Sequence, residues 1–115
     1  MAGTIISRGG DAGVAVTISA SGTTSTAYDA RDGIAFGVFL PAGFEGGALT
    51  FTGAWDSDET FFDVYEEDGS AATLASVAAS GYYPLPASLA ALPWFKVVSD
   101  ATESAARSLR IVSKQ

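Results

Sequence analysis

The sequence predicts an all-β domain in which two antiparallel sheets pack as a jelly-roll-like β-sandwich. Three observations support this fold class. The 115 residues suit a single domain of ordinary size. Apolar and polar residues alternate over several short stretches, as expected for strands with one buried face. Turn-forming residues separate these stretches, and no stretch has the period of a substantial helix. We therefore expect roughly seven to eight strands.

The N-terminal third contains the first predicted strands. Residues 4–7 favour β-structure and precede two glycines, so residues 1–10 are expected to form an arm or edge strand, and residues 11–115 the sandwich domain. Residues 14–19 alternate clearly. Residues 34–40 are apolar on both faces, which predicts a central strand covered on both sides. Pro41 ends this strand because it has no N–H to donate to a ladder.

A hairpin over residues 48–65 is the feature around which the other strands are arranged. Its arms alternate, and the connection WDSDET is rich in residues that favour turns. The following Asp68-Gly69 predicts a type I′ hairpin with a weak, alanine-rich return strand at residues 72–77. Residues 87–92 allow one helical turn, and two further strands at residues 94–99 and 109–113 complete the domain.

Alternation also predicts which side chains form the core. Truncation of a core phenylalanine to alanine should cost about 3–5 kcal/mol. The predicted core comprises Val16, Ile18, Ile34, Phe36, Val38, Leu49, Phe51, Phe62, Val64, Phe95, Val97, Leu109 and Ile111.

Composition excludes several classes of function. The chain has no cysteine and no histidine, so it lacks thiol chemistry and the commonest general base. No apolar run is long enough to cross a membrane and the N-terminus lacks a signal-peptide core, so we expect a soluble protein made in the cytoplasm. The net charge is −7, and no basic residue lies between Arg31 and Lys96. This acidic middle argues against nucleic-acid binding.

The acidic cluster Asp56, Asp58, Glu59 and Asp63 is the best candidate for a cation site, with Asp56, Asp58 and Asp63 as its candidate ligands. Counted from Asp56, the residues Asp58, Thr60 and Glu67 fall at ligand positions of an EF-hand loop, but Phe61 occupies the position that requires glycine and no helices flank the loop. We therefore expect a solvated turn, with no metal and no cofactor. A calcium site of another kind on this turn is the alternative. Serines without a histidine cannot form a Ser-His-Asp triad, and the carboxylates show no surrounding cleft, so no enzymatic activity is expected.

Exposed aromatic residues are candidates for contact surfaces. Trp55, Tyr82, Tyr83 and Trp94 could form a platform for sugars, although aromatic residues on strands more often fill a core or an interface. Tyr82 and Tyr83 lie beside prolines and are expected to be exposed and to contact a partner. Thr4, Ile5 and Ile6 are a second predicted contact, because an unpaired strand can extend a neighbouring sheet.

Residues 16–112 resemble a family of small structural proteins from tailed bacteriophages and prophages. The matching stretches are TISASGTTSTAYD, GVFLPAGFEGGALTFTGAWDSDETFFDVYEEDGS, YYPLPASLAALPWFKVVS and the closing RSLRIV. The likeness is one of strand order and packing, with no chemical motif. Residues 100–106 depart from the family pattern, because they lack the proline and glutamine that precede its last strand.

The resemblance implies a non-enzymatic virion protein that acts by binding other virion proteins. Decoration of the outer surface of the capsid, on the major capsid protein, is the first expectation, with self-association as a further one. A tail, neck or fibre component is the alternative, and a carbohydrate-binding module that contacts the host surface is another. Because the acidic hairpins would be repelled from packaged nucleic acid, they are expected to point to solvent.

Overall fold

The structure is a computed structural model that describes residues 13–31, 33–56, 58 and 60–114. The predicted arm, residues 1–10, lies outside the described residues. The strands are β1 (Val14–Ile18), β2 (Tyr28–Asp29), β3 (Ile34–Phe39), β4 (Leu49–Ala54), β5 (Phe62–Asp63), β6 (Thr73–Leu74), β7 (Tyr82–Pro84), β8 (Trp94–Ser99) and β9 (Arg107–Lys114). A 3₁₀ turn at Ala87–Leu89 takes the place of the predicted helical turn. No helix in the described ranges is long and apolar enough to cross a membrane.

Two antiparallel sheets form the predicted sandwich. The first has the order β1-β9-β3-β7, and the second has the order β2-β8-β4-β5, with β6 also paired to β4. Along the chain the strands alternate between sheets, except that β4, β5 and β6 are consecutive in one sheet. With β6 set aside, this is the strand order of a jelly roll, which is built from two Greek keys. The predicted fold class is confirmed.

The hairpin predicted over residues 48–65 is also confirmed. Strand β4 lies inside the second sheet, between β8 on one side and β5 and β6 on the other, and Gly53 faces Phe62 across the hairpin. The next turn differs from the prediction. The Gly69 N–H donates to the Glu66 carbonyl, which makes Glu67 and Asp68 the central residues of the turn. Neither is left-handed, and the left-handed residue, Gly69 with a φ of 90°, follows them, so the turn is not type I′.

Most of the predicted core is buried between the sheets. Phe51 and Phe95 are at most 1 % exposed, and their rings meet edge to face with centroids 6.5 Å apart. Val64 is half-buried and packs against this core. The other predicted residues that the structure buries are Val16, Ile18, Val38, Leu49, Val97, Leu109 and Ile111.

The predictions for Ile34 and Phe36 are wrong, because both side chains are 47 % exposed. The register between β3 and β9 shifts between Ala35 and Gly37, so β3 carries one extra residue there. A bulge of this kind reverses the alternation. Ala35 is buried before the bulge and Val38 after it. The outward-facing Phe36 and Phe39 are about half-exposed, so β3 is covered on one face only and not on both as predicted.

The prediction for Phe62 is wrong for a different reason. Phe62 pairs with Gly53, which pairs in turn with the buried Phe95, so Phe62 belongs to the inward-facing row. It is nevertheless 53 % exposed. Strand β5 is the edge of its sheet, and Phe62 projects beyond the part of the sheet that the core covers. Alternation identified the face correctly, but the end of the sandwich leaves that face open.

Candidate docking surfaces

The outer face of the four-stranded sheet presents apolar side chains to solvent. We call the group formed by Ile34, Phe36, Phe39 and Tyr82 the outer-sheet patch. Each of these side chains is 47–48 % exposed. The rings of Phe39 and Tyr82 are in contact, with centroids 4.7 Å apart. A Cβ atom at Gly37 would collide with the Tyr82 ring, so glycine there allows the tyrosine to lie flat across the strand.

The strands of this sheet also carry basic residues, of which Arg107 is mostly buried and paired with Glu45 and Glu103. The four strands contain Arg107, Arg110 and Lys114 and no acidic residue. Arg110 pairs directly with Phe39 and is exposed, beside the outer-sheet patch. By contrast, the turn residues 66–68 and the acids that follow Trp55 belong to connections of the other sheet. The two sheets therefore differ in charge, and the apolar patch lies on the basic one.

A second apolar surface lies at the end of the sandwich where β4 and β5 are joined. We call it the Trp55 pocket, a hollow of about 270 Å³ lined in part by Trp55, Phe62, Leu92 and Pro93. The Trp55 and Phe62 rings stack, with centroids 5.7 Å apart and planes 19° apart. Trp55 remains 65 % exposed. Asp63 is the one charged residue among the described residues that line this pocket.

Two cationic side chains lie on aromatic rings in or next to strands of the second sheet. The Arg31 guanidinium is 4.8 Å from the centre of the Trp94 ring, and Lys96 Nζ is 4.3 Å from the Phe61 ring. Arg31 also donates two hydrogen bonds of 2.8 Å to the two carboxylate oxygens of Asp29. These bonds, the backbone N–H of Arg31 and its charge lower the pKa of Asp29 to about 2.

A buried carboxylate that the sequence did not reveal joins three loops at the opposite end of the sandwich. Glu103 is fully buried. Its Oε1 accepts hydrogen bonds from the Glu45 N–H at 3.0 Å and from Arg107 Nε at 3.1 Å, and its Oε2 accepts one from the Gly46 N–H at 3.2 Å. Its backbone N–H donates to the Gly22 carbonyl. Residues 100–106, predicted only as a loop, are thus tied to the 22 and 45 loops.

Glu45 extends this network to the surface. Its carboxylate accepts hydrogen bonds from the Ser104 side chain and the Ser104 N–H, and Arg107 Nη2 lies 3.2 Å from it. These contacts, led by the Ser104 hydroxyl, hold the pKa of Glu45 below its usual range. One arginine therefore bridges two carboxylates. No sequence pattern marks this arrangement, because Glu45 is 58 residues from Glu103 in the chain and both lie outside regular strands.

The candidate metal ligands do not converge. No group of three or more acidic residues among those the structure describes is placed to hold a metal ion. Asp56 accepts a hydrogen bond of 3.0 Å from the Asp58 N–H, as in an ordinary turn. Asp63 lies on β5, opposite Thr52 of β4. That the fold needs no metal stays a prediction.

The predicted aromatic contacts separate into different surfaces. Tyr82 is exposed in the outer-sheet patch, whereas Tyr83 is half-buried and its hydroxyl accepts a hydrogen bond from the Ala78 N–H. Trp55 lies in its own pocket and Trp94 lies beneath Arg31. The four aromatics therefore do not form a single platform. The predicted contacts Thr4, Ile5 and Ile6 lie outside the described residues.

These two surfaces are the candidate docking surfaces among the described residues. Both are built mainly from exposed aromatic and aliphatic side chains on rigid strands or at strand ends. Comparisons with protein-family models, curated proteins and solved structures found no match to this chain.

Proposed function

We propose that this protein is a non-enzymatic structural protein of a tailed-phage virion, which decorates the outer surface of the capsid. Its partner is the major capsid protein, and the outer-sheet patch is the docking surface. The observation that carries the proposal is the exposure of four large apolar side chains on one sheet face. Monomeric proteins rarely expose apolar groups together unless they bind something.

The chemistry of the patch suits a protein partner. Tyrosine, phenylalanine and arginine are enriched at the centres of protein interfaces. The outer-sheet patch supplies Phe36, Phe39 and Tyr82, and Arg110 lies opposite Phe39 in the sheet. The patch is held by strand pairing, so docking requires little ordering of the protein, which favours affinity.

The charges support the same orientation. Charged residues are depleted from interface cores, and acidic surfaces are repelled by packaged nucleic acid. The turn at residues 66–68 carries three acids and belongs to the sheet opposite the patch. A molecule that docks through the outer-sheet patch keeps this turn in solvent, on the outside of the particle.

The N-terminal arm would supply a second contact. Residues 1–12 precede β1, which is an edge strand of the sheet that carries the patch. A β-prone segment entering at an edge can add to a neighbouring sheet through main-chain hydrogen bonds. Thr4, Ile5 and Ile6 are the residues we assign to this contact.

Particle binding tests both contacts. Purified protein is mixed with undecorated capsids, and bound protein is measured after sedimentation. We expect the double variant Phe39→Ser/Tyr82→Ser to lose at least about tenfold in affinity, because aromatic anchors typically contribute 2 kcal/mol or more. Deletion of residues 1–8 should also abolish incorporation. Trp55→Ala, a change in an even more exposed aromatic residue that follows β4 of the other sheet, serves as the control.

The copy number per virion separates this proposal from its alternatives. Mass spectrometry of purified particles should give hundreds of copies for a decoration protein. A handful of copies would instead assign the protein to the tail, neck or fibre. Full binding by the Phe39→Ser/Tyr82→Ser variant would show that the patch is not the docking surface.

A further inference from the structure

The outer-sheet patch has a segment of its own chain within reach that can cover it before docking. We propose that in the free protein the segment Thr4, Ile5 and Ile6 of the N-terminal arm lies over the outer-sheet patch of the same molecule. Docking exchanges this intramolecular contact for the contact with the capsid protein. That exchange rests on the proposed function, whereas the cover itself is a property of the free protein.

The entry into β1 shows on which face of the sheet the arm leaves the sandwich. Leu109 and Ile111 are buried, so Arg110 between them projects from the outer face, where it is exposed. Arg110 Nη1 donates a hydrogen bond of 3.2 Å to the Gly13 carbonyl. Gly13 has a φ of 101°, and a Cβ atom there would collide with the Arg110 side chain. The chain therefore passes against an outer-face side chain as it enters β1.

The register of the sheet places the patch directly beyond Arg110. Val14 of β1 and Val38 of β3 both pair with Ile111 of β9, so β1 begins level with the middle of β3. Arg110 pairs with Phe39 of the patch. The distance from β1 to β3 is two strand spacings, or about 10 Å. A segment that leaves β1 beside Arg110 and crosses the outer face therefore meets the patch.

The arm is long enough and apolar enough to cover the patch. Ile6 precedes Gly13 by seven residues, which span up to about 23 Å when extended. Residues 1–6 carry no charged side chain. Gly9 and Gly10 allow the chain to turn over the sheet without strain. Since apolar groups exposed together favour non-specific association, a cover that removes them from water stabilises the free protein against it.

Covalent linkage favours this segment over other occupants of the patch. A tethered segment has an effective concentration of about millimolar, which exceeds that of a second copy in dilute solution. Charge favours the same path, because Asp11 lies two residues before Gly13 and the strands of this sheet contain no acidic residue. The turn at residues 66–68 of the other sheet, with its three acids, repels Asp11 instead.

Methyl NMR of the full-length free protein tests the cover. Particle binding cannot test it alone, because deletion of the arm removes both the cover and the second capsid contact. With the isoleucine methyl groups labelled with ¹³C, we expect nuclear Overhauser effects (NOEs) from at least one of Ile5 and Ile6 to ring protons of Phe39 or Tyr82. Dilution should leave these NOEs unchanged. In the Phe39→Ser/Tyr82→Ser variant, the Ile5 and Ile6 methyl resonances should move to the positions of an unfolded chain.

Variants of the arm test the same contact from the other side. Ile5→Ser/Ile6→Ser should shift the amide resonances of the outer-sheet patch in the same direction as deletion of residues 1–8, because both changes uncover the patch. Arg8→Ser is the matched control, since it alters the arm outside the apolar segment, and it should leave the patch resonances in place. The amide spectrum of each variant reports whether the sandwich is folded.

Two outcomes would overturn the proposal. The first is the absence of NOEs from Ile5 and Ile6 to the patch, with patch resonances that deletion of residues 1–8 leaves unchanged. The second is NOEs that arise only between differently labelled molecules in a mixture, which would assign the patch to the arm of a second copy. Failure of the proposed function gives a different result, in which the intramolecular NOEs persist but the Phe39→Ser/Tyr82→Ser variant still binds undecorated capsids fully.

Discussion

Replacement of Glu103 with alanine tests whether the buried carboxylate holds one end of the sandwich together. The substitution leaves the Glu45 and Gly46 N–H groups and Arg107 Nε without the acceptor they share. Arg107 is itself only 17 % exposed, so its lost partner is poorly replaced by water. The damage is therefore the loss of one of the two carboxylate partners of Arg107 together with unpaired backbone donors, and not the loss of a few methylene contacts.

The expected magnitude follows from these groups. Removal of one partner from a buried ion pair costs about 3–5 kcal/mol, and each unpaired buried donor contributes about 1–3 kcal/mol when water cannot reach it. We expect Glu103→Ala to lower the free energy of unfolding by about 4 kcal/mol. For a domain of this length, a loss of that size lowers Tm by about 15 °C. It is a large part of the roughly 5–15 kcal/mol that stabilises an ordinary domain.

Chemical denaturation and calorimetry measure this effect, with Asp100→Ala as the matched control. Asp100 lies in the same loop and also accepts a backbone hydrogen bond, from Gly47 at 2.8 Å, but it is exposed. Its removal should cost only about 1 kcal/mol. Arg107→Met should cost much less in the Glu103→Ala background than alone, because the two residues share one interaction. A Glu103→Ala variant as stable as Asp100→Ala would refute the assignment of Glu103 as a structural hub.

Three further predictions concern the core, the acidic turn and pH. Phe51→Ala should lower the free energy of unfolding by about 3–5 kcal/mol. Phe36→Ala should lower it by less than about 1 kcal/mol, because Phe36 lies half-exposed on the bulge. Equal losses for the two variants in urea denaturation would contradict the bulge. Neither calcium nor a chelator should change Tm, since the described acidic residues do not converge; a marked rise with calcium would make Asp56, Asp58 and Asp63 the first ligands to test. The Asp29 carboxyl should titrate near pH 2 by NMR, and Arg31→Gln should return its pKa towards 3.8. Because folding lowers the pKa of Asp29, the stabilisation of the fold by the Asp29–Arg31 pair is complete above about pH 4 and is lost as the pH falls towards 2. An unchanged pKa of Asp29 in the Arg31→Gln variant would show that the pair does not cause the shift.

Local patterns determined most of the strands. The alternation through residues 49–54 and 94–99 predicted two buried rows, and the structure pairs them directly, with Phe51 opposite Val97. This works because a strand with one covered face must place every second side chain in the core, which is a property of the chain segment alone. The turn at Asp68-Gly69 was located from a local pattern as well, because glycine adopts the left-handed conformation without strain.

The tertiary structure alone decided the features from which the functional proposals are made. The exposure of Phe36 depends on a bulge against β9, and that of Phe62 depends on where the sheet ends, so neither can be read from its own strand. The partners of the Glu103 carboxylate lie 57–58 residues away in the chain, except for nearby Ser99 and Arg107, and no local pattern encodes such a distance. The sequence by itself determined a jelly-roll-like sandwich with an acidic middle. The outer-sheet patch and the Trp55 pocket exist because distant strands bring their residues to one face and leave that face uncovered.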